Sequence, residues 1–432
     1  MKTKIIILLT IYFQLCAFNL LAQVPSPAPQ QKGAVLLQNG IAHLGNGEII
    51  ENAVIGFENG KITLVADARV VKIDPSSYDT IINIEGKHVY PGIIAPNSTL
   101  GLTEIDAVRA TQDNDETGIL NPHVRSIIAY NTESNITTTV RFNGVLMGQI
   151  TPRGGLISGT SSIVQFDAWN WEDAIYKEDD GIHINWPNMY HRWGGKENKE
   201  YDNTKKELYD FFENAKPYCK VNNHNEINIR FESVRGLFNG TKRIYIHTDY
   251  IKEITEAITF VKKYELKNVT LVGAYDAWMV AELLKENNIS VILKRVHSLP
   301  ERQEEDVYLP YKMPKILFDA GILFCLENAG DMEAMNTRNL PFYAGTAAAY
   351  GLTKEQALQS ITLNTAKILG IDQTCGSLEI GKDATLFIST GDALDMKTNN
   401  VELAFIQGRK IDLSSRQKNL YEKYSKKYKQ QQ

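Results

Sequence analysis

The chain has 432 residues, of which 43% are hydrophobic and 22% charged, and its formal net charge is −5. This length is sufficient for one barrel of roughly 250 residues together with a smaller domain. The slight negative charge excludes an electrostatic basis for binding nucleic acid or anionic lipid, so we expect a small molecule or another protein as partner.

The amino-terminal segment has the pattern of a secretory signal peptide. Lys2 and Lys4 precede a largely apolar stretch over residues 5–21, and Ala22 is a small residue suited to cleavage. A retained membrane anchor is the alternative, but two polar residues interrupt the stretch. We predict that residues 1–22 are removed, that the chain is exported to the periplasm or the cell exterior, and that it is not held in a membrane.

The cysteines that remain after this removal do not form a disulfide framework. Cys219, Cys325 and Cys375 are odd in number and widely spaced. Cys325 lies within the apolar run GILFCLEN, and we interpret it as a buried strand residue.

The two ends of the chain have β patterns, and the middle alternates between helix and strand. The opening stretch consists of short strands separated by Asn-Gly and Gly-Asn-Gly turns, which suit tight hairpins. In the middle, ITEAITFVKKYELKN precedes VTLVGA and DAWMVAELLKENNI precedes SVILKRV, which indicates crossover connections in a parallel sheet. Neither β end can bury its apolar face alone, so we expect the two ends to pack together.

These patterns predict an α/β protein in which both ends of the chain form a small composite β-sandwich around a βα domain, whose length suits a (β/α)8 TIM-type barrel. An insertion over about 166–240 breaks the alternation with aromatic and charged stretches, and we predict an elaborated loop near the barrel mouth. The segments are a signal peptide (1–22), a linker (23–32), the first sandwich part (33–90), the barrel (91–370), the second sandwich part (371–412) and a polar tail (413–432).

Two motifs resemble the amidohydrolase superfamily. HVYPGIIAPNSTLGL is similar to the first barrel strand of these enzymes, where Pro-Gly-Leu-Ile-Asp precedes a His-x-His pair. TKEQALQSITLNTAKILGIDQTCGSLEIGKDATLFI resembles the passage from the last barrel helix to the returning sandwich, and is the more specific match. The resemblance covers nearly all of residues 33–412, in particular to imidazolonepropionase-like members. It implies hydrolysis of C–N bonds in cyclic amides or dipeptides, with a divalent metal, often Zn, that activates water.

The resemblance also implies a set of metal ligands that this chain mostly lacks. The two His of the first strand fall on Asn97 and Thr99, and the His of the sixth strand falls on Gly273. The catalytic Asp of the eighth strand falls on Asn328 or Ala329. Asn and Thr are weak zinc ligands and Gly has no side chain. The family's metal is therefore predicted to be weakly bound or absent, and the chain to be a pseudoenzyme.

A few candidate ligands and catalytic groups remain. His247 in KRIYIHTDY falls on the fifth-strand His, and Asp249, two residues on, lies on the same strand face. We take these two as candidate metal ligands, and Glu327 and Asp331 as candidate catalytic carboxylates, because carboxylates suit Mg, Ca or Mn as well as Zn. A core histidine and solvated acids are the structural alternatives.

Three further residues are candidates for substrate binding. Arg109 could hold an anionic substrate, although a structural ion pair is the alternative. Arg153 precedes two glycines whose N–H groups could cradle an anion, although a plain turn is the alternative. His297 follows the seventh strand near the predicted mouth. His183, His191 and His224 lie in the insertion and are too scattered to indicate a metal site.

Three functions remain open from the sequence. The first is an exported amidohydrolase-family protein that is catalytically degenerate, and the second is an active hydrolase with a metal site rebuilt around His247. The third is a binding or scaffold partner of an intact amidohydrolase. Many amidohydrolases are oligomers, so self-association or pairing with another amidohydrolase subunit is implied by the resemblance alone.

Overall fold

The computed structural model describes residues 25–190 and 196–428. The predicted signal peptide and His191 lie outside the described residues. Among the residues that are described, no helix is long and apolar enough to cross a membrane.

The strands are numbered in chain order. The first group is β1 (Val35–His43), β2 (Ile49–Glu58), β3 (Lys61–Asp67), β4 (Thr80–Asn83) and β5 (His88–Pro91). The barrel strands are β6 (Ile93–Ser98), β7 (Val145–Ile150), β8 (Ile157–Gln165), β9 (Ile175–Asn185), β10 (Arg243–Thr248), β11 (Val269–Gly273), β12 (Ser290–Leu293) and β13 (Phe324–Leu326). The last group is β14 (Leu386–Ser389), β15 (Val401–Ile406) and β16 (Arg409–Lys410).

The helices surround the barrel, except for the last one, which lies in the carboxy-terminal tail. The first six are α1 (Asn135–Arg141), α2 (Trp171–Ala174), α3 (Tyr201–Lys220), α4 (Ile229–Asn239), α5 (Ile251–Tyr264) and α6 (Ala281–Glu286). The others are α7 (Leu309–Asp319), α8 (Glu333–Asn336), α9 (Leu340–Ala349), α10 (Lys354–Gln359), α11 (Leu363–Leu369) and α12 (Arg416–Lys427). Short 3-10 turns lie at Pro75–Ser77, Arg109–Thr111, Ser126–Ala129, Ala277–Val280 and Thr337–Asn339.

Both ends of the chain contribute to one composite sheet, in the order β16-β15-β14-β5-β1-β2-β3, with β4 also paired to β1. The two ends meet where β5 and β14 pair as antiparallel strands, with Pro91 opposite Leu386. Phe57 from one end and Phe405 from the other pack edge to face, with ring centroids 5.0 Å apart. The expectation that the two β ends pack together is therefore confirmed.

The second sheet is a nearly closed barrel in the order β6 to β13. At the seam, residues 360–361 bridge the outer strands: Leu326 N–H donates to Ser360 O (3.1 Å) and Ile94 N–H to Ile361 O (3.0 Å). One strand departs from the all-parallel arrangement, because β8 is antiparallel to both β7 and β9. A short turn joins β7 to β8 where a crossover helix would be needed for a parallel neighbour.

The prediction of a loop over about 166–240 is wrong. This region contains the barrel strand β9 and the helices α3 and α4. The sequence did not indicate this strand because IYKEDDGIHIN contains many polar residues. Asp180 and His183 are among its polar residues that are buried. A strand whose polar groups are satisfied by neighbouring side chains lacks the apolar run expected of a barrel interior.

Other local predictions are confirmed. The helix predicted in ITEAITFVKKYELKN is α5, and the strands that follow the two predicted helices are β11 and β12. Cys325 is fully buried in β13, and the three described cysteines are free thiols.

Candidate functional site

The candidate site lies at the barrel mouth, which is the end where the parallel strands have their carboxyl termini. Asn97 lies near the end of β6, and Arg153 is in the turn after β7. His247 lies near the end of β10, and Glu327 directly follows β13. The fold therefore brings residues that are far apart in sequence to one end of the barrel.

The guanidinium of Arg153 forms hydrogen bonds with both the side chain and the backbone of Asn97. Its Nη1 donates to Asn97 Oδ1 at 2.9 Å and its Nη2 donates to the Asn97 carbonyl at 2.8 Å. The same Nη2 lies 2.8 Å from Glu333 Oε1, at the start of α8, in a largely buried ion pair. A fixed cation thus occupies the position next to Asn97, with three acceptors that hold it there.

Glu327 contacts the other side of Asn97, whose Nδ2 donates to Glu327 Oε2 at 2.5 Å. Burial raises the pKa of Glu327 to about 8, although the Asn97 hydrogen bond and the charge of Arg153 act in the opposite direction. Glu327 is therefore mainly protonated at neutral pH. Asn97 itself has a φ of 47°, in the left-handed region that Asn tolerates better than most residues.

Two histidines on neighbouring strands meet inside the barrel. His183 Nδ1 lies 2.9 Å from His247 Nε2, and His183 Nε2 lies 2.9 Å from Ser161 Oγ. Burial, together with the charge of Arg153, lowers the pKa of His247 to about 3. Burial and the neighbouring His247 hold the pKa of His183 well below its usual value. Both imidazoles are therefore neutral at physiological pH.

The histidine pair continues into a deeper chain of polar groups. Ser161 Oγ donates to Asp180 Oδ1 at 2.7 Å, and the Tyr245 hydroxyl donates to Asp180 Oδ2 at 2.7 Å. Gln149 links this chain to the mouth, because its Nε2 donates to Asp180 Oδ2 at 3.1 Å and its Oε1 accepts from Asn97 N–H at 3.1 Å. The result is one buried hydrogen-bonded network, which holds its members in fixed positions.

The residues present do not fit the divalent metal that the resemblance implies. Asp249, the second predicted ligand, forms an ion pair with Lys294 at 3.0 Å. Gly273 has a φ of 86°, and a Cβ added there would lie 2.6 Å from Asp249 Oδ1, so a histidine cannot replace it without moving Asp249. Within residues 25–190 and 196–428, no three His, Cys, Asp or Glu side chains are placed to hold a metal ion.

The remaining predicted residues have contacts outside the network. Asp331 is exposed, and its backbone carbonyl accepts from Arg295. Arg109 Nη1 donates to Gln112 O within its own loop, and His297 Nε2 lies 2.6 Å from Thr346 Oγ1 on α9.

Two positions that the resemblance aligns with site residues, Thr99 and Asn328, form hydrogen bonds with the backbone around the barrel mouth. Thr99 is buried, and its carbonyl accepts from Leu102 N–H at 2.9 Å. Asn328 donates through Nδ2 to the Glu333 carbonyl at 2.7 Å, while its Oδ1 is buried without a hydrogen-bond partner among the described residues. Of the predicted residues, the structure thus brings together Asn97, Arg153, Glu327 and, through Gln149, His247.

Several members of the network were not predicted from the sequence: Gln149, Ser161, Asp180, His183, Tyr245 and Glu333. One signal was present, because Tyr245 and His247 are two residues apart and therefore share a strand face. No sequence pattern marks the others, since their partners lie on strands that are paired only in the fold.

Comparisons with known proteins agree with this architecture. The model of the amidohydrolase family matches residues 245–411, from β10 to the returning strands of the composite sheet. An imidazolonepropionase from Flavobacterium psychrophilum is 25% identical over 193 residues, which are 39% of this chain and 47% of the relative, so the match spans about half of that protein. A 5′-deoxyadenosine deaminase from Methanobrevibacter smithii is 23% identical over 363 residues, which are 77% of each chain.

A solved structure shows the same fold. An amidohydrolase from Thermotoga maritima superposes with a TM-score of 0.76 at 23% sequence identity, covering 88% of this chain and 99% of its own. The similarity extends over both the barrel and the composite sheet.

Proposed function

We propose that in this chain, a member of the amidohydrolase superfamily that is related to hydrolases of C–N bonds, a fixed guanidinium has replaced the metal that the family resemblance implies. In this proposal the protein is an exported pseudoenzyme that does not hydrolyse C–N bonds. It acts as a binding or scaffold protein for a small molecule or for an intact amidohydrolase subunit.

The observation that carries this proposal is the position of Arg153 across Asn97. A divalent ion about 4 Å from a fixed guanidinium would be repelled by roughly 8 kcal/mol at an effective dielectric constant of about 20. The pair of neutral histidines cannot offset this repulsion, because zinc sites in proteins use three or four protein ligands. The network therefore favours a mouth without a metal.

A cavity beside the network supports a binding role. It has a volume of about 410 Å³ and lies at the carboxyl end of β9, with Asn185, Pro187 and Tyr190 among its lining residues. Asn185 Nδ2 donates to the carbonyls of Gly154 (3.1 Å) and Gly155 (2.8 Å), so the wall of the cavity is joined to the turn that carries Arg153. Its size is within the range of small-molecule sites.

The loss of hydrolysis is tested with the compounds named in the two relatives. The purified mature chain is incubated with an imidazolone propionate and with 5′-deoxyadenosine, with added Zn²⁺ or Mn²⁺, and compared with His247→Ala. We expect the wild type and His247→Ala to show the same rate, equal to the rate of the reaction without protein. Turnover that disappears in His247→Ala would overturn the proposal and favour a metal site rebuilt around His247.

Export and pairing have separate tests. The intact mass of the chain recovered from outside the cytoplasm should correspond to removal of residues 1–22, and the full-length mass would contradict export by this route. Native mass spectrometry of the chain co-expressed with an intact amidohydrolase of its own organism should show a mixed assembly. If each chain is found only alone, with a ligand bound in the mouth, the scaffold role is excluded in favour of small-molecule binding.

A further inference from the structure

A cavity of about 230 Å³ lies at the end of the barrel opposite the mouth, where the strands have their amino termini. Arg243 at the start of β10 and Ser290 at the start of β12 are among its lining residues. Lys285 of α6 and Lys367 of α11 also line it. Its described lining includes none of the residues of the network at the mouth, so the cavity is separate from the site described above.

The lining of this cavity is positively charged. Arg243, Lys285 and Lys367 contribute to it, whereas its described lining residues include no aspartate or glutamate. None of these three side chains forms an ion pair within residues 25–190 and 196–428. Elsewhere surface cations are often paired, as Lys315 is with Asp319 on α7. The cavity therefore collects cations without a counter-charge of their own.

The guanidinium of Arg243 is held in place by the end of α11. Its Nε donates to the Ile368 carbonyl at 2.8 Å, and it lies so close to Gly370 that a Cβ added there would be 2.2 Å from Nη2. Nη1 and Nη2 have no hydrogen-bond partner in the described part of the chain, and both are open to solvent. A positioned guanidinium with two available nitrogens can donate to two oxygens of one anion.

A fourth cation adds to the positive charge at this end of the barrel. Lys177 Nζ donates to the Leu369 carbonyl at 2.9 Å, one residue after the carbonyl that holds Arg243. Burial, and then the charge of Arg243, lower the pKa of Lys177, while Asp180 and Asp372 act in the opposite direction from a distance. Neither of these carboxylates lines the cavity, so its positive charge is incompletely balanced.

Neutral hydrogen-bond donors line the same cavity. Thr270 Oγ1 and Ser290 Oγ lie 2.9 Å apart on neighbouring strands, so one hydroxyl donates to the other and the second keeps its hydrogen for a ligand. Asn268 and Asn288 bring side-chain amides to the exposed edge. The volume is below the roughly 300–1,000 Å³ of most small-molecule sites, which favours a small and polar ligand.

We infer that this cavity binds a small, doubly charged oxyanion, which is phosphate or the phosphate group of a small monoester, between Arg243, Lys285 and Lys367. A doubly charged ion is favoured over a monocarboxylate, because three cations and no carboxylate are found among the described lining residues. Charge-assisted hydrogen bonds from the guanidinium and the two ammonium groups provide the affinity. The site shares no residue with the network at the mouth, so it does not depend on the proposed function.

Isothermal titration calorimetry of the purified chain at low ionic strength tests the site, with inorganic phosphate as probe and with methyl phosphate and acetate for comparison. We expect one phosphate per chain with a Kd below about 1 mM, acetate at least about tenfold weaker, and a loss of affinity as salt is added. Methyl phosphate that binds at least as tightly as phosphate identifies a monoester as the ligand. Tighter binding of inorganic phosphate identifies the free ion.

A charge-matched pair of double variants separates the site from general attraction of anions. Lys285→Gln with Lys367→Gln should weaken phosphate by more than about tenfold and keep the Tm, because both residues are exposed and each supplies a charged donor. Lys397→Gln with Lys410→Gln removes the same charge at exposed positions outside the cavity and should leave binding unchanged. The inference is contradicted if phosphate does not bind, if acetate binds as tightly, or if the two double variants have the same affinity.

Discussion

Glu327 carries a carboxyl group that the fold keeps protonated at pH values where an exposed glutamate is ionised. Its ordinary pKa of 4.5 is raised to about 8 by burial. At pH below 4.5 the group is protonated in both the folded and the unfolded chain. Between 4.5 and about 8 only the unfolded chain releases the proton, so a rise in pH favours unfolding through this range.

The consequence is measurable by urea unfolding of the wild-type chain and Glu327→Gln between pH 5 and about pH 9.5. The free energy of unfolding of the wild type should fall relative to that of the variant, by up to about 1.4 kcal/mol per pH unit, and the difference should level off above pH 8. The exposed Glu172→Gln serves as control and should show no such slope. A constant difference between wild type and Glu327→Gln would contradict a protonated Glu327.

The backbone conformation and surroundings of Gly273 disfavour the histidine ligand that the resemblance implies at this position of the sixth strand. An alanine there would adopt an unfavourable positive φ and would also displace the Asp249 carboxylate. Gly381 is a matched control, because its φ of 89° is similar but no atom lies within 4 Å of an added Cβ. We expect Gly381→Ala to cost about 1 kcal/mol and Gly273→Ala a further 1–3 kcal/mol or so in chemical unfolding. An equal loss of stability in the two variants would show that the Asp249 side chain moves aside without an energetic cost.

At this scale the sequence identified the altered positions but not their new partners. Asn97, Thr99, Gly273 and Asn328 were found by matching short motifs, each of which is continuous in the sequence. The contact between Arg153 and Asn97 could not be found in this way, because it depends on where the turn after β7 lies once β8 reverses direction. The part of the hydrogen-bonded network that runs through Gln149 likewise depends on which strands pair.

Among the elements, α1, the end of β8 and β16 are joined by one buried carboxylate, Asp167. It forms ion pairs with Arg141 at 3.0 Å and with Arg409 at 2.9 Å, and so ties the barrel to the composite sheet. Asp167→Asn should lower the free energy of unfolding by about 3–5 kcal/mol, since it removes the carboxylate that forms ion pairs with both buried guanidiniums.

A control for this prediction is Asp67→Asn, which alters an ion pair with Arg69 at the surface. Thermal unfolding followed by circular dichroism should show a large decrease in Tm for Asp167→Asn and almost none for Asp67→Asn. Similar melting temperatures for the two variants would indicate that the buried cluster does not join the elements.

The elements themselves were predictable where their pattern is apolar. The helix α5 and the strands β11 and β12 follow the 3.6-residue and apolar-run patterns closely. The polar strand β9 was missed, because its hydrogen-bonding partners come from β7, β8 and β10 and leave no local signature.

For the whole molecule, the composite sheet makes the two ends of the chain mutually dependent. Deletion of residues 386–432 removes β14 to β16 and leaves β5 without its antiparallel partner. We expect this chain to aggregate or to elute as an expanded species in size-exclusion chromatography, because an apolar sheet edge becomes exposed. Deletion of residues 416–432 is the control, since α12 contains no buried residue, and it should leave the elution volume and Tm unchanged.

The layout of barrel and composite sheet was predicted from the similar β patterns at the two chain ends and from the family motifs. What could not be predicted is that one charged side chain stands beside the first-strand ligand position. In the function that we propose, that feature distinguishes a pseudoenzyme from a hydrolase, and it is a property of the assembled mouth.

The most direct measurement is the metal content of the purified mature protein after dialysis, determined by inductively coupled plasma mass spectrometry for the wild type and His247→Ala. We predict that both proteins retain far less than one divalent metal ion per chain, and equally little, because Arg153 and Asn97 occupy the mouth. Near-stoichiometric metal in the wild type that is lost in His247→Ala would contradict the pseudoenzyme account and establish a rebuilt metal site.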